Sequence, residues 1–356
     1  MTRMLMGQLH PGLSIAVFLL LANRPAHSQE QSAAPTMSVN VKVVTLLATV
    51  RNKHGEIVHN LSKDDFVLEE DGRPQTIRYF TKDNDLPLKL GLLVDTSLSQ
   101  RRVLDQERSA SHSFLDQMLH QDKDMAFVIH FDREVELLQD FTASRDKLYS
   151  ALGLLQTSQF SPNSGSDSPD SGGRQGHGGG TLLYDAVYLA SNELMKKQQG
   201  RKSLIVLSDG VDRGSKESIV TAIESAQRAD TLVYSILFKD EQEHNSSGGF
   251  GMPGVGGGGM GRHGGGGQRF PQEERTDGKK ILERISRETG ARLFEVSKKE
   301  PIEQIYSAIE DELRNQYSIG YTPDKTDAGA AYRKILLKTT QKDLVVQTRD
   351  GYYAEQ

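Results

Sequence analysis

The chain has 356 residues, a net charge of −5 with both signs interspersed, no cysteine and no tryptophan. That length allows two domains with a sizeable core. Without cysteine there can be no disulfide, thiolate metal site, cysteine nucleophile or cysteine-linked lipid anchor. The mild charge gives no footprint for nucleic acid or an anionic membrane surface.

Residues 1–28 read as a secretory signal: Arg3 in the leading segment, an apolar run over 13–22, and Ala26-His27-Ser28 as a small-x-small cleavage site. The run is about 10 residues, against roughly 20 for a bilayer-spanning helix. No second run of spanning length follows, so the reading is a soluble, secreted or periplasmic protein with no membrane span after cleavage.

Residues 37–85 carry a strand pattern. Val39, Val41 and Val43 alternate, His54-Gly55 marks a turn, and 66–70 runs into Asp71-Gly72, a hairpin signal. Ile77, Tyr79 and Phe80 extend it. From residue 86 the pattern changes to strands alternating with helices, the signature of a mostly parallel sheet. Strands are predicted at 88–94, 125–131, 135–141, 203–208, 231–238 and 291–296. Helices are predicted at 102–120, 144–155, 182–197, 216–228, 276–289 and 300–315. In the last helix Ile302, Ile305, Ile309 and Leu313 form one stripe. The short step from Phe131 to Val135 implies one antiparallel hairpin. Glycine-rich segments at 158–180 and 243–268 interrupt this region and lack the apolar surface to offset backbone ordering. After residue 316 the strand pattern returns: Tyr317, Ile319 and Tyr321 alternate, followed by Ile335 with Leu337, then 344–346, then Asp350-Gly351-Tyr352. The expected fold is therefore α/β, a doubly wound, mostly parallel sheet over 86–315. It is inserted between β-segments 37–85 and 316–356, which are expected to pair as a small β-sandwich.

The chemistry is concentrated at strand ends. Asp95-Thr96-Ser97-Leu98-Ser99 directly follows the apolar strand 88–94 and delivers one carboxylate and two hydroxyls at i, i+2 and i+4. Hard oxygen donors of this kind suit Mg²⁺, Mn²⁺ or Ca²⁺ and suit zinc poorly. A second carboxylate, Asp209 of Asp209-Gly210, follows the strand 203–208. If those strands are neighbours, both acids meet in the crevice beyond the strand ends, where ligands of open α/β sheets collect. Thr181 adds a hydroxyl after Gly178-Gly179-Gly180, at a helix start.

Over roughly 86–315 these residues resemble the von Willebrand factor type A domain and its metal-ion-dependent adhesion site: Asp-x-Ser-x-Ser, a distant Thr, and a distant Asp followed by Gly. The whole chain further resembles a bacterial group of secreted proteins that carry this domain between β-segments and end as in Arg349-Asp350-Gly351-Tyr352. The resemblance implies that Ser97, Ser99 and Thr181 contact a divalent cation directly or nearly so, with Asp95 and Asp209 acting partly through water. It also implies that an open coordination position takes an Asp or Glu side chain of a protein partner. It implies a last helix that can shift when the site engages a ligand.

Other residues read as structural. Asp185 lies one turn into a helix, where a carboxylate favours the dipole; Asp212 reads as a solvated loop residue. His130 reads as a hydrogen-bonded or core histidine, and His177 and His263 stand alone in glycine tracts. Gly173–Thr181 lacks the Lys-Ser/Thr ending of a phosphate loop, and neither His-Glu-x-x-His nor Gly-x-Ser-x-Gly occurs. The expected function is a metal-dependent, adhesion-type binding module and not an enzyme. The alternatives are an envelope assembly subunit whose metal serves stability, and a metal-dependent hydrolase.

Overall fold

Strand β5 (Leu88–Asp95) is buried along nearly all its length, as its unbroken apolar run requires of a strand covered on both faces. A computed structural model of the chain describes residues 43–82, 86–120, 122–157, 180–238, 277–324 and 332–354. Segments 1–28 and 243–268, and all of 158–180 except its last residue, lie outside those residues.

Around β5 the central sheet assembles from β6 (Met125–Phe131), β7 (Val135–Thr142), β8 (Arg201–Ser208), β9 (Thr231–Leu237) and β10 (Leu293–Glu295). Its order is β10-β9-β8-β5-β6-β7, parallel except for β7, which returns antiparallel along β6. The chain leaves β5 toward β6 on one side and later places β8 on the other. The gap above β5 and β8 is therefore the switch point at which crossovers diverge, where a crevice forms.

Helices cover both faces. One layer holds α1 (Leu104–Met118), α2 (Arg145–Gly153) and α6 (Ile302–Arg314), packed on Leu90, Leu92 and Val94. The other holds α3 (Leu183–Leu189), α4 (Ile219–Arg228) and α5 (Gly278–Thr289), packed on Leu93, Phe127 and Ile129. The stripe Ile302, Ile305, Ile309 and Leu313 is buried as its spacing requires.

The helices are trimmed by a few residues at their ends, and two departures from the predicted pattern have local causes. The helix over 182–197 is α-helical only to Leu189, then widens into a π turn (Ala190–Leu194) and a 3₁₀ turn (Met195–Lys197). The change falls at Ser191-Asn192, where the Ser191 hydroxyl is buried without a hydrogen-bond partner and the Asn192 amide donates to Glu193 Oε1. Strand β10 begins at Leu293 because Ala291 is used to end α5: its N–H donates to Ser286 O at 2.9 Å, around the left-handed Gly290.

The flanking segments form two four-stranded antiparallel sheets from β1 (Val44–Asn52), β2 (Phe66–Glu70), β3 (Arg73–Gln75), β4 (Ile77–Thr81), β11 (Tyr317–Tyr321), β12 (Tyr332–Thr339), β13 (Leu344–Gln347) and β14 (Gly351–Tyr353). The order β13-β1-β11-β4 alternates strands from the two ends of the chain, and in β14-β12-β2-β3 the two ends join at the β12–β2 pair. Asp71 (φ 50°) and Gly72 (φ 74°) make the tight β2–β3 turn that Asp-Gly signals. A common core includes Leu46, Leu68, Tyr317, Ile319 and Ile335. These sheets are bonded to the helical layers. Arg51 and Arg292 both pair with the buried Glu312 of α6, and Arg349 pairs with Asp230 at 2.7 Å while donating to Thr45 O at 2.9 Å.

Candidate metal centre

Strand β5 ends at Asp95, so strand alternation fixes none of the following motif residues, and Ser97 and Ser99 are placed by the turn that comes next. The chain curls at once into a short 3₁₀ turn (Leu98–Gln100), with Gln100 N–H donating to Ser97 O at 2.9 Å. The curl brings the Ser97 and Ser99 hydroxyl oxygens within 2.9 Å of each other, where they share a hydrogen bond. Thr96 Oγ1 is hydrogen-bonded to His130 Nδ1 (3.1 Å), and His130 Nε2 to Glu136 Oε2 (3.0 Å). That relay ties the motif loop to the β6–β7 hairpin, and His130 is a hydrogen-bonded histidine.

Asp95 is fully buried. Its Oδ1 accepts the Ser97 N–H at 2.9 Å and its Oδ2 accepts the Ser208 hydroxyl at 2.6 Å. Burial pushes the Asp95 carboxyl up to about 7, and the nearby charge of Asp209 adds to the rise. Strands β5 and β8 are direct neighbours, pairing Val94 with Leu207, so both acids leave adjacent strand ends.

Asp209 is positioned by glycine. Gly210 takes φ +79°, and Val211 N–H donates back to Asp209 Oδ1 at 2.9 Å. A Cβ on Gly278, the first residue of α5, would lie 2.1 Å from Asp209 O, and one on Gly210 would lie 2.2 Å from Gly278 O. Two glycines therefore allow the acid loop to rest backbone-on-backbone against α5.

Thr181 is buried and anchored from two sides. It exchanges backbone hydrogen bonds with Arg213 (3.0 and 2.8 Å), in the loop that follows Asp209, and Leu182 N–H donates to Asp132 O at 2.9 Å in the β6–β7 turn. The structure thus brings Asp95, Ser97 and Ser99 into one cluster, sets Asp209 within its electrostatic reach, and joins Thr181 to the flanking loops.

Asp212 is not merely solvated, because Oδ1 accepts the Tyr184 N–H at the start of α3 and the Ser215 hydroxyl. Asp185 accepts the Lys216 and Glu217 N–H groups, clamping the same loop.

Two polar residues beside the site escaped the sequence reading. Ser208 donates to Asp95 and also accepts the Gly210 N–H at 3.0 Å, so one hydroxyl links both acid loops. Glu107 in α1 is completely buried, and neither carboxylate oxygen has a hydrogen-bond partner. Burial holds its carboxyl well above the usual range, with the charge of Asp95 adding to the shift. A signal did exist, since Glu107 falls on the inward stripe Leu104, Ser111, Phe114 and Met118.

The donor set is all oxygen. Among the described residues no three His, Cys, Asp or Glu side chains converge on a metal position. A cation here would therefore use the Ser97, Ser99 and Thr181 hydroxyls together with two carboxylates, a set that suits a hard divalent ion. Asp95 is buried and within electrostatic reach of the half-buried Asp209, and this proximity of two acids is what a cation would relieve.

Residues 90–211 match the von Willebrand factor type A domain. No curated protein matches the chain. Among solved structures, an aerotolerance-related membrane protein from Bacteroides fragilis is 16% identical, with 64% of this chain and 98% of that one covered and a TM-score of 0.40. Proximal thread matrix protein 1 from the mussel byssus, with a zinc-occupied MIDAS motif, is 14% identical, covering 69% and 50% at TM-score 0.43. The vWF domain of the pilus tip protein Mfa5 from Porphyromonas gingivalis is 18% identical, covering 36% and 39% at TM-score 0.28. With the αβα layers, the strand order and the family match over 90–211, this chain carries a von Willebrand factor type A domain.

Proposed function

We propose that this protein is a secreted or periplasmic adhesion-type binding module that recognises an acidic group on a protein partner through a divalent cation. One arrangement supports the reading: the Asp95–Ser97–Ser99 cluster lies at the end of β5, Asp209 follows the neighbouring β8, and the loop after Asp209 pairs through Arg213 with Thr181. In this proposal Ser97, Ser99 and Thr181 offer neutral hydroxyl oxygens, while Asp95 and Asp209 supply the two negative charges. The ion, Mg²⁺ with Mn²⁺ or Ca²⁺ as substitutes, would supply Lewis acidity toward a partner carboxylate. The secretion assignment rests on the signal pattern over 1–28. Among the described residues no helix is long and apolar enough to cross a membrane.

Binding is favoured over catalysis. The Glu136–His130–Thr96 relay has the order of a nucleophile chain, but Thr96 is completely buried and cannot meet a substrate. Calorimetric titration of Mg²⁺ and Mn²⁺ into wild type and Asp95→Ala tests the cation. Capture of envelope proteins with and without chelator tests the partner. Equal cation binding by both proteins overturns the site, and capture indifferent to chelator overturns cation-dependent recognition.

A further inference from the structure

Three consecutive residues at the end of β6 hold both hydroxyl-bearing loops of the candidate metal centre. Phe131 O accepts the Thr96 N–H at 3.0 Å, which carries the β5–β6 ladder one step past the Asp95–Phe131 pair. His130 Nδ1 is bonded to the Thr96 hydroxyl at 3.1 Å. Asp132 O accepts the Leu182 N–H at 2.9 Å. Thr96 stands between Asp95 and Ser97, and Leu182 directly follows Thr181. Two loops far apart in the chain are thus referred to one short stretch of strand.

That stretch is itself held. His130 pairs with Glu136 and Phe131 with Val135 across the β6–β7 hairpin. Asp132 N–H donates to Glu134 O at 3.1 Å, and Asp132 Oδ1 accepts the Glu134 N–H at 3.2 Å. The Glu136 carboxylate accepts from His130 Nε2 at 3.0 Å, which leaves Nδ1 of the neutral ring as the acceptor for the Thr96 hydroxyl. Thr96 is completely buried, so its hydroxyl is shielded from competing solvent.

We propose that Thr96 and His130 are specificity-determining residues for the cation: by tying the Ser97–Ser99 turn to the strand end that also holds the Thr181 loop, they keep the hydroxyl donors in a fixed frame that favours Mg²⁺ over Ca²⁺. The proposal rests on the cation-dependent reading above. Neither residue would touch the ion; both act through the loops they hold. Mg²⁺ demands near-ideal octahedral geometry at about 2.0–2.1 Å, whereas Ca²⁺ takes roughly 6–8 oxygens in flexible arrangements, often with bidentate carboxylates. Both Asp95 oxygens and Asp209 Oδ1 already accept hydrogen bonds, which disfavours bidentate use of either acid. Few donors in a rigid frame suit the smaller ion, and loosening the frame forfeits its advantage.

The test is calorimetric titration of Mg²⁺ and of Ca²⁺ into the full chain, with melting temperatures alongside, for wild type, Thr96→Val, Thr96→Ser, His130→Gln and His130→Asn. Valine keeps the shape of threonine without the hydroxyl, and serine keeps the hydroxyl. An asparagine amide can replace Nδ1, and a glutamine amide Nε2. Thr96→Val and His130→Gln are expected to lose about ten-fold in Mg²⁺ affinity but under about three-fold in Ca²⁺ affinity. Thr96→Ser and His130→Asn should stay within about three-fold of wild type for both ions. The Mg²⁺/Ca²⁺ ratio is the deciding readout, because loss of stability alone weakens both ions alike. Should Thr96→Val fail to fold, His130→Gln carries the same comparison. In wild type the His130 ring nitrogens should give ¹⁵N shifts of a protonated Nε2 and an accepting Nδ1, with Nδ1 altered in Thr96→Val. Equal losses for the two ions, no loss for either, or Thr96→Ser behaving as Thr96→Val overturns the proposal, while Mg²⁺ binding by wild type sustains the cation reading. A wild type that prefers Ca²⁺ overturns the proposal alone, and one that binds neither ion overturns both.

Discussion

The Ser208 hydroxyl donates to Asp95 Oδ2 at 2.6 Å while accepting the Gly210 N–H at 3.0 Å. One side chain at the end of β8 thereby fixes the carboxylate at the end of β5 and the loop that presents Asp209. Ser208→Ala removes a donor to a buried charged group, a loss of about 1–3 kcal/mol. The expected outcome is a lower urea midpoint with an unchanged m-value, together with weaker Mg²⁺ binding. Ser208→Thr should restore both in part, because it keeps the hydroxyl. Unaltered Mg²⁺ affinity in Ser208→Ala would show that Asp95 needs no such positioning.

Asp95 couples stability to pH and to cation. Its carboxyl is raised from 3.8 to about 7 by burial and by Asp209, so the folded state prefers the protonated form. The stability that this preference confers is fully present below about pH 4 and is lost as pH rises toward 7, a change of roughly 4 kcal/mol at the limit. A cation reverses the preference by favouring the carboxylate. Melting temperatures should therefore rise with Mg²⁺ far more at pH 8 than at pH 5, and Asp95→Asn should lose most of that difference. A Mg²⁺ shift that is the same at both pH values would remove Asp95 from the linkage.

Glu107 is a buried carboxyl without a partner, and burial raises its pKa well above the usual value. Its contribution has the same sign: stability falls as pH climbs above the ordinary glutamate range. Glu107→Gln keeps the shape and removes the ionisation. The variant should equal or exceed wild type in stability above pH 7 and show a flatter pH profile. A chemical-denaturation series from pH 5 to 9 checks this, and a variant markedly weaker at every pH would mean that the carboxylate has an unseen role.

How much of this was legible before folding depends on range. The central strands and helices follow from local periodicity, and the Asp71-Gly72 turn from dipeptide chemistry, since the cause lies within a few residues. That Asp95 and Asp209 sit on neighbouring strands was only conditional in the sequence, because neighbour order in a parallel sheet is set by the crossovers. Ser208 was invisible as a link, since its partner Asp95 is 113 positions away. The Thr181–Arg213 bridge and the backbone contact of Gly278 with Asp209 are likewise long-range. Glu107 was different, because an acid on an apolar stripe is a local anomaly that periodicity alone exposes. The glycine-rich segments at 158–180 and 243–268 fall almost wholly outside the described residues, which include only Gly180 of them.

Gly278 gives a direct test of the backbone contact beneath the second acid. A Cβ there would stand 2.1 Å from Asp209 O and 2.9 Å from the Gly210 carbonyl carbon. Backbone cannot yield as a side-chain tip can, so Gly278→Ala must displace the Asp209 loop or the start of α5. The expected result is a loss of Mg²⁺ affinity of ten-fold or more with modest loss of stability. Lys279→Ala, one residue on and exposed, serves as the control and should leave Mg²⁺ affinity near wild type.

Glu312, near the end of α6, is completely buried and pairs with Arg292 and with Arg51 of β1. This places a charged clamp between the last helix of the α/β domain and the antiparallel sheets, five residues before β11 begins the return strand. A shift of α6, which the family resemblance implies, would have to break or carry along these ion pairs. Removing one partner of a buried pair costs about 3–5 kcal/mol, because it leaves an uncompensated charge. Arg51→Ala should therefore lower the melting temperature strongly. Replacing the pair together, Arg51→Met with Glu312→Leu, should recover much of the loss because no orphan charge remains. If α6 transmits site occupancy to the sheets, the repacked double variant will also change acidic-peptide affinity at constant Mg²⁺. Unchanged affinity with recovered stability would leave α6 as packing alone.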